Sequence, residues 1–120
     1  MIKTVFDLEI FRLSHELAMD IYRVTRKFPK EERYSLIDQV VRSSRSITAN
    51  ISEGWGKRVY VNDFKRHLIF ALGSLEETRT WLLFAKDCDY LKTEDYNCFC
   101  VKCQELGAKI FKLLGTWRSF

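Results

Sequence analysis

Apolar residues recur along this chain at intervals of three and four in four long stretches, the spacing that places them on one face of an α-helix. The first stripe is Ile10, Leu17, Ile21, Val24 and Phe28, widened by Phe11, Ala18 and Tyr22. Thr4 and Asp7 fit a capping box with Asp in place of Glu, and Phe28-Pro29 ends the segment because a residue before proline avoids the α region. This predicts a helix over about 5–28. The second stripe is Ile37, Val40, Ser44, Ile47 and Ile51, interleaved with small polar residues (Ser43, Ser46, Thr48, Asn50, Ser52). Pro29 with Glu31 and Glu32 suits a first turn, and Gly54 and Gly56 flanking Trp55 supply a stop, so the expected helix runs over about 30–55.

The third stripe, Phe64, Leu68, Ala71, Leu75, Thr78, Leu82 and Ala85, holds a four-three alternation without a break. Asn62 is a good N-cap and Asp63 favours the first turn, giving a helix over about 62–88. The fourth is Tyr96, Phe99, Cys103, Leu106, Ile110, Leu113 and Trp117, capped by Thr93 with Glu94 and Asp95 following, for a helix over about 94–118. Gly107 and Gly115 either cost this helix stability or mark close packing. Short connections favour antiparallel neighbours. Four rods of matched length then make an all-α, antiparallel four-helix bundle, a single domain over 1–120. A three-helix core with one detached helix is the alternative.

Composition agrees. The chain is 47% hydrophobic and 30% charged, with only 5 Gly and 1 Pro, which disfavours an all-β fold or a disordered tail. No apolar run approaches the length that spans a bilayer. Asp7 and Glu9 interrupt any signal-peptide core near the N-terminus, so a cytoplasmic protein with no membrane association is expected. Of the four cysteines, Cys98, Cys100 and Cys103 form a C-x-C-x-x-C run. A helix puts Cys98 and Cys100 on opposite faces, and no His or second Cys pair has zinc-site spacing. Free helix thiols are therefore favoured over a metal site or a disulfide, and neither a metal nor a cofactor is expected.

The net charge of +4 acquires meaning once it is located. Residues 1–41 carry seven basic and seven acidic side chains, and residues 67–120 again carry seven of each. Residues 42–66 carry Arg42, Arg45, Lys57, Arg58, Lys65 and Arg66 against Glu53 and Asp63. The surplus thus spans the end of the second helix, its loop and the start of the third. Such a patch attracts phosphates and releases their counterions, and Trp55 and Tyr60 in the loop are placed to stack on unpaired bases. The competing reading is a solvated loop with ordinary Lys and Arg.

Catalytic chemistry is hard to find. The two histidines, His15 and His67, read as surface residues, and neither has an Arg four to six residues before it as certain helical ribonucleases require. No nucleophile elbow, P-loop, dinucleotide fingerprint or H-E-x-x-H occurs, nor the Glu-x-x-His pair of a di-iron bundle. No enzyme and no small-molecule substrate are expected. Asn50 and Glu53 sit beside the core positions Ile47 and Ile51. They read as polar groups bonded to a neighbouring helix or second subunit, ahead of ligand contact or acid–base work by Glu53.

Four ordered motifs carry a family resemblance: Asp7-Leu8-Glu9-Ile10-Phe11, Phe28-Pro29-Lys30-Glu31-Glu32-Arg33-Tyr34, Ile47-Thr48-Ala49-Asn50-Ile51-Ser52-Glu53-Gly54, and Ala71-Leu72-Gly73-Ser74-Leu75-Glu76-Glu77. Over about residues 7–91 the chain resembles the four helix bundle protein family. This is the bacterial group of ribosomal RNA intervening-sequence proteins, related to the accessory variability determinant of diversity-generating retroelements. Thr48 stands where the family usually has proline, Val41-Arg42 where it often has two arginines, and Arg45 where it has an apolar residue. The resemblance implies an up-down-up-down bundle, a ring-shaped homopentamer, and nucleic-acid binding without catalysis. It also marks Asn50, Glu53 and Gly54, with Trp55 beside them, as a structural or interface signature. The expected partner is nucleic acid, RNA ahead of DNA, contacted by Arg42, Arg45, Lys57, Arg58, Lys65 and Arg66. The alternative is a protein-interaction scaffold partnering a polymerase or reverse transcriptase.

Overall fold

All seven positions of the third stripe, from Phe64 to Ala85, are buried, and four of them have no exposed surface at all. They form the spine of a bundle seen in a computed structural model that describes residues 1–118. The helices are α1 (Glu9–Thr25), α2 (Leu36–Gly56), α3 (Val61–Asp87) and α4 (Thr93–Thr116), with short 3-10 turns at Val5–Asp7 and Lys30–Glu32. Among the described residues no strand forms, and no helix is long and apolar enough to cross a membrane. The body measures 45 × 25 × 20 Å.

Residue pairs across the helix seams fix the directions. On the α2/α3 seam the Ser43 and Thr78 hydroxyls meet at 2.9 Å, Ser46 and Ser74 at 2.9 Å, and Asn50 and His67 at 3.2 Å. As numbers rise on α2 they fall on α3, so the two run antiparallel. Glu9–Lys109 (3.1 Å) and Asp20–Lys102 (2.9 Å) show the same for α1 and α4. Thr48 donates to Ser14 across α1/α2 at 2.9 Å. Across the diagonals α1/α3 and α2/α4 no two Cα atoms come within 8 Å among the described residues. The helices therefore stand at the corners of a square. The small polar residues of α2 are a seam: short side chains let α2 and α3 approach closely, and the hydroxyls bond across the gap.

Two helix starts differ from the sequence expectation. Asp7 accepts the backbone N–H groups of Lys3 and Thr4, both at 2.9 Å, but it closes only a 3-10 turn. Leu8 is extended and buried, and α1 begins at Glu9. The second helix begins at Leu36, six residues later than expected. The cause is Glu32: one carboxylate oxygen accepts from Ser35 Oγ and the Leu36 N–H, and the other from the Tyr90 hydroxyl at 2.9 Å. This side chain caps α2 from outside it and ties the α1–α2 connection to the α3–α4 turn. α3 starts at Val61 with Tyr60 as N-cap, so Asn62 lies exposed inside the first turn rather than capping it.

Opposite ends of the bundle are closed differently. At one end Phe28 is buried and packs on Tyr90, ring centroids 5.6 Å apart. At the other, Trp55, Phe64 and Trp117 form an edge-to-face cluster with centroid separations of 5.0–6.5 Å. Such aromatic pairs add about 0.5–1.5 kcal/mol each beyond their burial.

Candidate nucleic-acid interface

Gly54 decides how closely the end of α2 meets the start of α3. A Cβ at Gly54 would lie 2.8 Å from His67 Cβ and 3.3 Å from the Phe64 carbonyl oxygen, inside normal contact. The missing side chain lets His67 press against α2, where it is buried, with 7% of its surface exposed. The expectation of a surface histidine fails here, because the neighbour of His67 in space is a glycine on another helix. His15 does lie exposed, stacked on Phe11.

Asn50 faces the His67 ring, its Oδ1 3.2 Å from Nδ1. On the ring's other side Lys57 Nζ is 3.2 Å and Glu53 Oε2 3.7 Å from Nε2, and Lys57 and Glu53 are 3.7 Å apart. The signature residues Asn50, Glu53 and Gly54 thus converge on one buried imidazole of the next helix. Trp55, expected in a loop, is buried in the last turn of α2 and unavailable to stack on a base. Arg58 lies 4.0 Å over its ring and donates to its carbonyl at 3.0 Å. Tyr60 remains 69% exposed.

The six predicted phosphate contacts do not form one patch. Lys57, Arg58, Lys65 and Arg66 gather at the α2–α3 junction, where Lys57 faces Glu53, Arg58 covers Trp55, and Arg66 is 3.6 Å from Asp63. Arg42 and Arg45 lie on α2, fifteen residues before Lys57 in the case of Arg42, or about 22 Å along a helix. That exceeds two screening lengths at physiological salt, so neither group adds appreciably to the other's local field. Arg42 and Arg45 instead line an open groove of about 460 Å³ between α1 and α2, where Arg26, Lys30 and Arg33 join them.

Counting charge along the chain hid those three cations, because residues 1–41 balance seven against seven. In space the balance breaks. Glu32 points into the α2 cap, Asp20 pairs with Arg23 and Lys102, and Asp38 is the one carboxylate lining the groove. Counting by helix face, with Tyr22 and Arg26 one turn apart and Arg42 and Arg45 likewise, would have found them.

Other chemistry is sparse among the described residues. No cluster of three His, Cys, Asp or Glu could hold a metal ion. All four cysteines are free, Cys88 and Cys98 exposed and Cys103 buried, and burial raises the Cys103 thiol to about 11.

Three comparisons place this geometry among known proteins. The family model described as 23S rRNA-intervening sequence protein matches residues 6–112. A crystal structure of a protein of unknown function from the S23 ribosomal protein family of Bacteroides thetaiotaomicron superimposes with a TM-score of 0.81. The two share 26% identity, over 89% of this chain and 96% of that one. No curated protein matches the sequence.

Proposed function

Because the chain belongs to the family of 23S rRNA-intervening sequence proteins, we propose that it is a non-catalytic, RNA-binding protein that works in the cytoplasm as a homo-oligomer. The observation that carries this reading is the family match over nearly the whole chain. The cationic surfaces along α2 and at its junction with α3 agree with it, since phosphate contacts dominate nucleic-acid affinity. The non-catalytic reading follows from the sequence, which carries no motif for nucleophilic, phosphoryl-transfer or metal-assisted chemistry.

Oligomerisation is supported by the outer surface of α3 and α4. Ile69, Phe70, Leu83 and Phe84 on α3 are each 43–54% exposed, and Val101 and Phe111 on α4 are 63% and 68% exposed. Single exposed apolar residues are ordinary, but six on two neighbouring helices are the kind of surface that an interface covers. A ring-shaped homopentamer, as the family resemblance implies, would cover it and repeat each cationic surface five times, multiplying weak contacts into avidity.

Filter binding of a structured RNA at about 50 and 200 mM salt tests the first part. Affinity should fall as salt rises, with a slope of about −0.7 to −0.9 per phosphate engaged. No binding at the lower salt, or binding without a salt slope, removes the reading. Light scattering tests the second part; a monomer at micromolar concentration would remove the oligomer.

A further inference from the structure

We propose that the groove between the C-terminal half of α1 and the N-terminal half of α2 seats an unpaired nucleotide of single-stranded RNA. Its base would lie on the groove floor and its flanking phosphates against Arg26, Arg33, Arg42 and Arg45. The inference rests on the RNA-binding reading above and assigns it to a surface other than the α2–α3 junction.

Charge is the first reason. Five cations line the groove against the single carboxylate Asp38. Only Arg42 pairs with it, at 3.6 Å, with the Arg42 side chain 75% and the Asp38 side chain 44% exposed, so the pair contributes little. Among the described residues Arg26, Lys30, Arg33 and Arg45 have no ion-pair partner. At the junction, by contrast, Lys57 and Arg66 each face a carboxylate and Arg58 covers Trp55.

Residue type is the second. Four of the five groove cations are arginines, whose planar fork binds phosphate oxygens in pairs. Two are held in place from different helices: the guanidinium carbons of Arg26 and Arg45 lie 5.9 and 5.7 Å from the centre of the same Tyr22 ring. Each cation–π contact supplies attraction to the ring, but two like charges sharing one ring repel each other. An anion bound beside them relieves that repulsion.

Shape is the third. About 460 Å³ is the scale of a small-ligand site. Thr25 and Phe28 are buried at its base, and Ile37 and Val41 are half-buried beside them, which gives an apolar floor under a cationic rim. A base in a duplex is stacked and paired and cannot enter such a groove. An unpaired base can, and single-stranded segments are where proteins read RNA bases. An acidic peptide would satisfy the rim but offers no flat apolar group for the floor.

The test uses the full chain and a fluorescein-labelled, unstructured ten-nucleotide oligoadenylate, followed by anisotropy across a salt series. R26E/R33E, two exposed positions whose folding is checked by circular dichroism, should weaken binding at least about tenfold and make the salt slope shallower by about two. K65E/R66E at the junction should change affinity less than about threefold. The inference is overturned if R26E/R33E binds like the parent, or if a ten-residue oligoglutamate competes as well as unlabelled oligoadenylate. If R26E/R33E binds like the parent while the parent binds RNA, only the groove fails. If the parent binds neither oligoadenylate nor structured RNA, the proposed function fails with it.

Discussion

Asn50 Oδ1 accepts a hydrogen bond from His67 Nδ1 at 3.2 Å, and the direction of that bond is set from the far side of the amide. Asn50 Nδ2 donates to the Ser46 carbonyl at 2.9 Å and contacts Ser46 Oγ at 3.1 Å. A carbonyl oxygen can only accept, so Oδ1 must face the imidazole, and Nδ1 must carry the proton. In the neutral ring Nε2 is then a lone pair, directed toward Lys57 Nζ at 3.2 Å.

Nitrogen-15 spectra of the neutral ring should therefore show His67 held as the Nδ1-protonated tautomer, while exposed His15 shows the average of a ring in exchange. Finding His67 mainly Nε2-protonated would contradict the assignment. Asn50→Ala strands a buried donor and should cost about 1–3 kcal/mol in urea unfolding.

Glycines at two helix positions should respond in opposite directions. Gly54→Ala drives a methyl into His67 Cβ at 2.8 Å and the Phe64 backbone at 3.3 Å. The resulting strain of about 1–3 kcal/mol exceeds the gain in helix propensity of about 1 kcal/mol. Gly73, in the middle of α3, has nothing within 4 Å of an added Cβ, so Gly73→Ala should stabilise the chain by about 0.5–1 kcal/mol. Thermal melts of the two variants should move to lower and higher temperature respectively.

Glu32 gives the fold an acid-sensitive joint. Hydrogen bonds from Ser35, Tyr90 and the Leu36 N–H hold its carboxyl below the usual value. A carboxylate whose folded value is depressed contributes stability that is present above its unfolded value of about 4.3. That contribution is lost as pH falls through the folded value. Urea midpoints measured from pH 6 down to about pH 3 should fall less steeply for Glu32→Gln than for the parent. The Tyr90 hydroxyl, raised by its bond to the same carboxylate, should titrate above a free tyrosine, and Glu32→Gln should lower it.

Thiol reagents should distinguish the cysteines by depth. Cys88 and Cys98 are exposed and should react at once at pH 8. Cys103 has no exposed surface, and burial raises its thiol to about 11, so almost none is thiolate at that pH. It should react only after denaturant is added; rapid labelling in buffer would mean that α4 opens readily.

The helices and their inward faces were legible in the sequence because helical periodicity is a local property. The stripe from Phe64 to Ala85 is buried at every position, and α3 and α4 begin and end within about two residues of expectation. The antiparallel bundle follows from short connections between successive rods, although α1 at 17 residues is much shorter than α3 at 27. What the sequence could not decide were relations between residues distant along the chain. The start of α2 depends on a bond between Glu32 and Tyr90, 58 residues apart. The burial of His67 depends on a glycine thirteen positions earlier on another helix. The basic segment reads as one patch in one dimension. A helix rises 1.5 Å per residue, so α2 sets Arg42 and Arg45, in its first half, about 18–22 Å along the axis from Lys57 beyond its end. The partners of the first two, Arg26, Lys30 and Arg33, come from a stretch whose charges cancel on paper. Only packing α1 against α2 leaves Asp38 as the one carboxylate of that stretch in the groove and sets its cations side by side.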